Sequence, residues 1–239
     1  MSRPLWIARR TAAVLRREGA AGTIRRIVKH ARIALGITSS EVRRYRQAKA
    51  QADLRFDTER GVDTGGTQNL GGLTIPSPNA SLGVAHIATV PGHFHRALGL
   101  LDIDPKGCTF VDLGAGKGRA LLMAADYPFA AIVGVEFAHE LYEICERNLA
   151  RTGDPRITCL LQDAEAFAYP ATDLVIYMNN PFDAPLVERV ARRLEAAFRS
   201  DPRTVRLVYT NPNAAWVFAH QPWFSVASDK GAEVFGLRA

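Results

Sequence analysis

Asp112, Gly114, Gly116 and Gly118 stand at alternate positions, and Glu136 lies 20 residues beyond Gly116. Glycines at that spacing let a backbone turn tightly and approach a ligand with no Cβ in the way. Two phosphate-binding patterns share parts of the run. A phosphate loop needs four residues between its first glycine and Gly-Lys-Ser/Thr, and here Gly118 follows Lys117, so that pattern fails. A dinucleotide fingerprint, Gly-x-Gly-x-x-Gly, meets Arg119 at its third glycine and matches weakly. The third pattern, Asp-x-Gly-x-Gly-x-Gly with an acid ending the next strand, is met in full by Asp112, Gly114, Gly116, Gly118 and Glu136. No Ser-His-Asp or Cys-His set has a supporting context such as Gly-x-Ser-x-Gly. His93 and His95 flank Phe94 without a third ligand nearby, so no metal site is expected.

These residues need a strand before them and a helix after them, and the sequence supplies both. Residues 109–113 form a short apolar, β-favouring run that ends in the glycines, and a helical segment follows over 119–126. Residues 131–135, 157–161, 174–178 and 205–209 read as further strands. Helices are expected over 139–150 and from Asp183, with Pro185 in the first turn, to about 199. Continuous apolar strands separated by helices indicate a buried parallel sheet. Residues 223–228 and 233–237 are two more strands, and four residues between them leave no room for a crossover helix. They are therefore expected to form an antiparallel hairpin at the sheet edge. In open α/β sheets, ligands bind at the carboxyl ends of the strands near the point where strand order reverses, which is where the glycine turn falls. The glycine- and proline-rich stretch 61–78 reads as a long loop.

With the strand-turn-helix setting added, the chain over residues 55–239 resembles the class I S-adenosylmethionine-dependent methyltransferases. The resemblance implies an α/β fold with a Rossmann-like seven-stranded sheet, mostly parallel with an antiparallel C-terminal hairpin, and S-adenosylmethionine as cofactor. It assigns cofactor contacts to Asp112, Gly114, Ala115, Gly116 and Gly118 in the turn. Glu136 is assigned to the ribose hydroxyls, Phe137 to the adenine face, and Asp163 with Ala164 to the adenine edge. Asn180-Pro181-Phe182 ends the fourth strand and is similar to the Asn/Asp/Ser-Pro-Pro-Tyr/Phe motif of nitrogen-methylating enzymes, with one proline in place of two. There, carbonyl oxygens hold the amine and the aromatic ring stacks on it, so Asn180, Pro181 and Phe182 are the catalytic candidates. Asn-Pro is also a common turn signal. No base stands out, and Tyr177, Tyr209 or a water would take the proton. Residues 56–66, Phe-Asp-Thr-Glu-Arg-Gly-Val-Asp-Thr-Gly-Gly, resemble the Gly-Val-Asp-Thr-type loop of bacterial methyltransferases of this class. That likeness adds Asp63 and Thr64 to the cofactor-binding candidates, on a loop expected to close over the site and exclude water.

Charge divides the chain. Residues 1–60 hold 15 Lys/Arg against 5 Asp/Glu, a net +10, and the remaining residues hold 15 against 19, a net −4. The expected organisation is a basic helical N-terminal arm over 1–54, a cofactor-covering loop and helix over 55–108, and the Rossmann-like core over 109–239. In the arm, Leu5, Ala8, Ala12 and Leu15 fall on one helical face, Ile24, Ile27, Val28, Ala31 and Leu35 on another, and Ser40 starts a third helix. Such an arm fits an anionic partner, nucleic acid or an anionic membrane, as well as its own core. Hydrophobic residues at 47% and charged residues at 23% describe a globular chain and exclude a disordered or collagenous one. No apolar run is long enough for a membrane span, no secretory signal is expected, and three cysteines without CxxC spacing read as reduced thiols of a cytoplasmic protein. Two other function classes remain open on sequence alone. One is a non-catalytic nucleic-acid or anionic-membrane binding module using the arm, and the other is a nicotinamide-dependent oxidoreductase. The methyl acceptor and the oligomeric state are not readable.

Overall fold

The computed structural model describes residues 40–238. The chain divides into two units, residues 1–51 and 52–239. Of the first, only residues 40–51 are described, as the start of helix α1 (Ser40–Arg60). The two helices expected earlier in the arm lie outside the described residues.

The second unit is built on a seven-stranded sheet. In chain order its strands are β3 (Thr109–Leu113), β4 (Ala131–Glu136), β5 (Ile157–Leu161), β6 (Leu174–Asn179), β7 (Val205–Thr210), β8 (Trp223–Asp229) and β9 (Ala232–Leu237). Their spatial order is β5-β4-β3-β6-β7-β9-β8. The first five run parallel, and β9 pairs antiparallel with both β7 and β8. The expected terminal hairpin is therefore present, with β8 at the edge and β9 inserted against β7. The helices are α2 (Pro91–Leu98), α3 (Arg119–Ala124), α4 (His139–Ala150) and α5 (Ala184–Ser200).

Side chains alternate across the strands and so feed two cores, one on each face. Val111 and Leu113 of β3, with Leu174, Ile176 and Met178 of β6, pack against Leu186, Val190 and Leu194 of α5. Those three residues are spaced at i, i+4 and i+8, which is one helical stripe. Phe110 of β3 with Val175 and Tyr177 of β6 points the other way, onto Phe94 of α2, Leu121 of α3 and Cys145 of α4. Strands covered on both faces need apolar residues at nearly every position, which is why β3 is buried throughout. The cysteines Cys108, Cys145 and Cys159 are all buried free thiols.

The stretch expected as one long loop carries structure of its own. Thr67–Gln68 (β1) pairs antiparallel with His86–Ile87 (β2), and single 3₁₀ turns occupy Leu70–Gly72 and Ala80–Leu82. Two-residue strands leave no periodicity to read, so sequence patterning could not reveal this ribbon. The chain reverses direction across the sheet between β3 and β6. That places the carboxyl ends of these two strands side by side, with the glycine turn on one and Asn179–Phe182 on the other. No helix among the described residues is long and apolar enough to cross a membrane.

Candidate active site

The turn after β3 is built from left-handed backbone. Gly114 has φ +85° and Gly116 φ +56°, a region that costs any residue with a Cβ. Space excludes a side chain as well. A Cβ on Gly114 would lie 2.5 Å from Cβ of Pro181, and one on Gly116 would run into the His86 ring. Backbone at the end of β3 thus lies directly against the end of β6 and against β2.

Glu136 ends β4 and reaches back to this turn. Its Oε2 accepts from the Gly116 amide at 2.7 Å, and its Oε1 accepts from the Ala138 amide at 2.8 Å. Burial pushes its carboxyl up, opposed by the amides of Ala138, Gly116 and Phe137. Asp112 is only 3% exposed. Burial first, and the neighbouring Glu136 second, push its carboxyl up to about 8. Two carboxyls in one desolvated hollow cannot both ionise cheaply.

One cavity of about 160 Å³ gathers most of the expected residues. Asp112, Gly114, Ala115, Gly116, Glu136, Phe137, Asn180, Pro181 and Phe182 all line it. Phe137 is seated there because Gly83 has no side chain: a Cβ at Gly83 would fall 2.5 Å from the Phe137 ring. The segment bearing Gly83 also pairs with the end of β6, since Val84 N–H donates to the Pro181 carbonyl at 2.9 Å and Asp183 N–H to the Leu82 carbonyl at 2.7 Å.

Other expected residues sit elsewhere. Gly118 starts α3 beside the Cys145 sulfur and is not on the cavity wall. Ala164 packs in the core. Asp163 caps the 3₁₀ turn Ala164–Ala166. Its carboxylate accepts from the Glu165 amide at 2.8 Å, from Asn79 Nδ2 at 2.9 Å and from the Ser77 hydroxyl. Asp63 and Thr64 do not line the cavity; Thr64 joins a latch centred on Arg119, which is itself on the cavity wall. The Arg119 guanidinium, 2% exposed, donates to Thr64 Oγ1 at 2.7 Å, Asp57 Oδ1 at 3.1 Å, Asp53 Oδ1, and the carbonyls of Thr89 at 3.3 Å and Asp53 at 3.5 Å. Those contacts occupy all five of its N–H groups. Asp63 pairs with Lys117 at 2.9 Å, while Asn148 ties the Asp63 backbone to the Lys117 carbonyl.

Sequence reasoning missed Arg119, Asp53, His86, Thr89, Asn148 and Asn211. The one usable signal was the pair Asp53 and Asp57, four apart on a helix, where both carboxylates share a face. The carboxamide of Asn179, the last residue of β6, is a hub. Nδ2 donates to Thr89 Oγ1 at 3.0 Å and to the Ile87 carbonyl at 3.4 Å, and Oδ1 accepts from Thr210 Oγ1 at 3.0 Å and Asn211 Nδ2 at 2.7 Å.

Residues 110–201, under half of the chain, match the family described as a methyltransferase domain. No curated protein matches the sequence. Among solved structures, the chain is similar to a ribosomal protein L11 methylase from Lactobacillus delbrueckii subsp. bulgaricus, with 15% identity and a TM-score of 0.47 over 61% of this chain and 76% of that one. It is also similar to magnesium protoporphyrin IX methyltransferase from Synechocystis PCC 6803 with bound SAM, with 11% identity and a TM-score of 0.42 over 63% and 76%. A third is a dimethyladenosine transferase from Plasmodium falciparum, with 12% identity and a TM-score of 0.46 over 64% and 62%. The domain match supports a methyltransferase of the S-adenosylmethionine-dependent class, and S-adenosylmethionine as its cofactor. The site fits that cofactor by its chemistry: a cradle that lacks side chains at Gly114 and Gly116, a buried carboxylate at Glu136 and an aromatic ring at Phe137 share one hollow.

Proposed function

We propose that this chain transfers a methyl group from S-adenosylmethionine to the nitrogen of an amine, carried by a protein lysine, a nucleic acid or a small molecule. The observation that carries the reading is the 2.7 Å bond from the Gly116 amide to Glu136, on the wall of a cavity that also reaches Asn180 and Pro181. When bound, the cofactor supplies a methyl group already activated on a sulfonium.

The chain's own residues then bind and align. Glu136 spends one lone pair of each oxygen on a backbone amide, which fixes the carboxylate and leaves acceptor capacity for the two ribose hydroxyls. Asp112 stands where it can face the cofactor's cationic groups, and Phe137 offers its ring to the base. Asn180 and its neighbours orient the acceptor, so the contribution to rate is proximity and alignment. Tyr177 is a poor base. Burial pushes its phenol up, and its hydroxyl shares a hydrogen bond with Thr210 Oγ1 at 3.0 Å. In this reading an ammonium acceptor loses its proton to water. The net +10 of residues 1–60 favours an anionic partner for the arm.

Calorimetry with S-adenosylhomocysteine tests the reading. Wild type is expected to bind, and Glu136→Ala to bind at least about tenfold more weakly, as loss of a charged hydrogen bond implies. Absence of binding to wild type refutes it. Incubating a lysate with methyl-tritiated S-adenosylmethionine and the enzyme then assigns the acceptor, according to whether label enters protein, RNA or low-mass material.

A further inference from the structure

The reading above needs a hydrogen-bond acceptor aimed at the incoming amine, and three oxygens at the end of β6 already accept hydrogen bonds within the fold. The Pro181 carbonyl accepts from the Val84 amide at 2.9 Å. Asn180 Oδ1 accepts from the Tyr209 hydroxyl at 3.3 Å. Asn179 Oδ1 accepts twice, from Thr210 and from Asn211. The third carboxamide on the cavity wall is Asn211, just beyond β7.

The orientation of Asn211 follows from the bonds around it. Asn179 Nδ2 faces the Ile87 carbonyl, which can only accept, so Asn179 must present Oδ1 to Asn211. Asn211 therefore gives Nδ2 to that contact, at 2.7 Å, and its Oδ1 makes no hydrogen bond to any described residue. The backbone beneath is held as well. Asn211 N–H donates to the Gly231 carbonyl in the β8–β9 turn at 2.7 Å, and its φ is +51°. Asn180, at the end of the neighbouring strand, has φ +48°, and these two asparagines are the non-glycine residues with positive φ among those described. Strained backbone of this kind persists where its surroundings over-determine it, and it clusters at functional sites.

We infer that Asn211 orients the methyl acceptor, its Oδ1 receiving an N–H of the substrate amine at the β6–β7 end of the cavity. The assignment rests on the methyltransferase reading and adds a residue to it. A neutral carboxamide oxygen accepts from either an ammonium or a neutral amine, so it holds the group before and after its proton leaves. Pinning the carboxamide through Nδ2 lowers the ordering cost at binding.

The test uses sinefungin, a cofactor analogue with a primary amine where the transferred methyl would be, against S-adenosylhomocysteine, which lacks that amine. Calorimetry of the full chain gives a ratio of the two affinities. In wild type, sinefungin is expected to bind about tenfold more tightly, the size of one charge-assisted hydrogen bond. Asn211→Gly keeps the left-handed backbone and removes the carboxamide, and should bring the ratio to within about twofold of unity with S-adenosylhomocysteine affinity unchanged. Asn211→Asp keeps an oxygen acceptor and adds charge but loses the donor that pins it to Asn179 Oδ1, and should hold the ratio above that of Asn211→Gly. A ratio that stays at the wild-type value in Asn211→Gly overturns the assignment. So does a wild-type ratio of one, or a loss of S-adenosylhomocysteine binding in both variants, which would make Asn211 a structural prop. If wild type binds neither compound, the methyltransferase reading itself fails and takes this assignment with it.

Discussion

Cofactor binding should release a proton, and Asp112 should be its source. The side chain is 3% exposed, and burial together with Glu136 pushes its carboxyl up to about 8. At pH 7 it is then protonated in about nine-tenths of free molecules. A cofactor bearing sulfonium and ammonium charge favours the ionised form, so binding must expel that proton. Affinity should rise about tenfold per pH unit below 8 and level off above it. The assay is calorimetry of S-adenosylmethionine binding at pH 7 in buffers of differing ionisation enthalpy. Wild type should release up to about 0.9 proton, and Asp112→Asn, which is isosteric and cannot ionise, should lose that release. Stability carries the same signature. Because the folded-state pKa lies above the unfolded value of 3.8, the neutral carboxyl favours the fold at low pH, and that advantage is lost as pH rises towards 8. Wild type should therefore lose stability relative to Asp112→Asn by about 1.4 kcal/mol per pH unit within that window, and the difference should be constant above it. Proton release near zero in wild type, or equal release in both proteins, refutes the reasoning.

The Arg119 latch should dominate the stability of the loop that follows α1. Arg119→Met leaves Asp53 and Asp57 without their buried counter-charge and should cost about 3–5 kcal/mol in urea denaturation, with a loss below 1 kcal/mol counting against the latch. Removing residues 1–39 should leave S-adenosylhomocysteine affinity within about twofold and weaken binding to RNA or to anionic vesicles, with a steep salt dependence in the full chain. Equal binding by both lengths in either assay would separate the arm's charge from that partner.

Much of the sheet was legible because parallel strands covered on both faces must be apolar at nearly every position, as in Phe110, Val111 and Leu113, and because a gap of 229–232 is too short to hide a helix. The glycine turn and Glu136 were legible for the related reason that left-handed backbone and close approach permit few residue types. What stayed hidden was decided by contacts across the chain. Nothing near Asp163 foretells that Ser77 and Asn79, more than 80 positions away, take up its oxygens. Asp63 and Thr64 entered through the likeness of their loop to a methyltransferase one, and nothing in that stretch foretells that Lys117 and Arg119 bond to them. Asn211 carried no more than the turn signal of an Asn-Pro pair, since its importance lies in φ and in the bonds of its neighbour Asn179.

The strip Leu82–Val84 touches both halves of the hollow. It is stitched to the β6 end through Pro181 and Asp183, and its Gly83 seats the ring of Phe137. A single splint across two subsites means that neither can loosen alone. On the proposed reading the two subsites should be coupled, a nucleoside docked against Phe137 fixing the position of Pro181 before the acceptor arrives. Kinetics should accordingly follow a compulsory order, cofactor first and acceptor second.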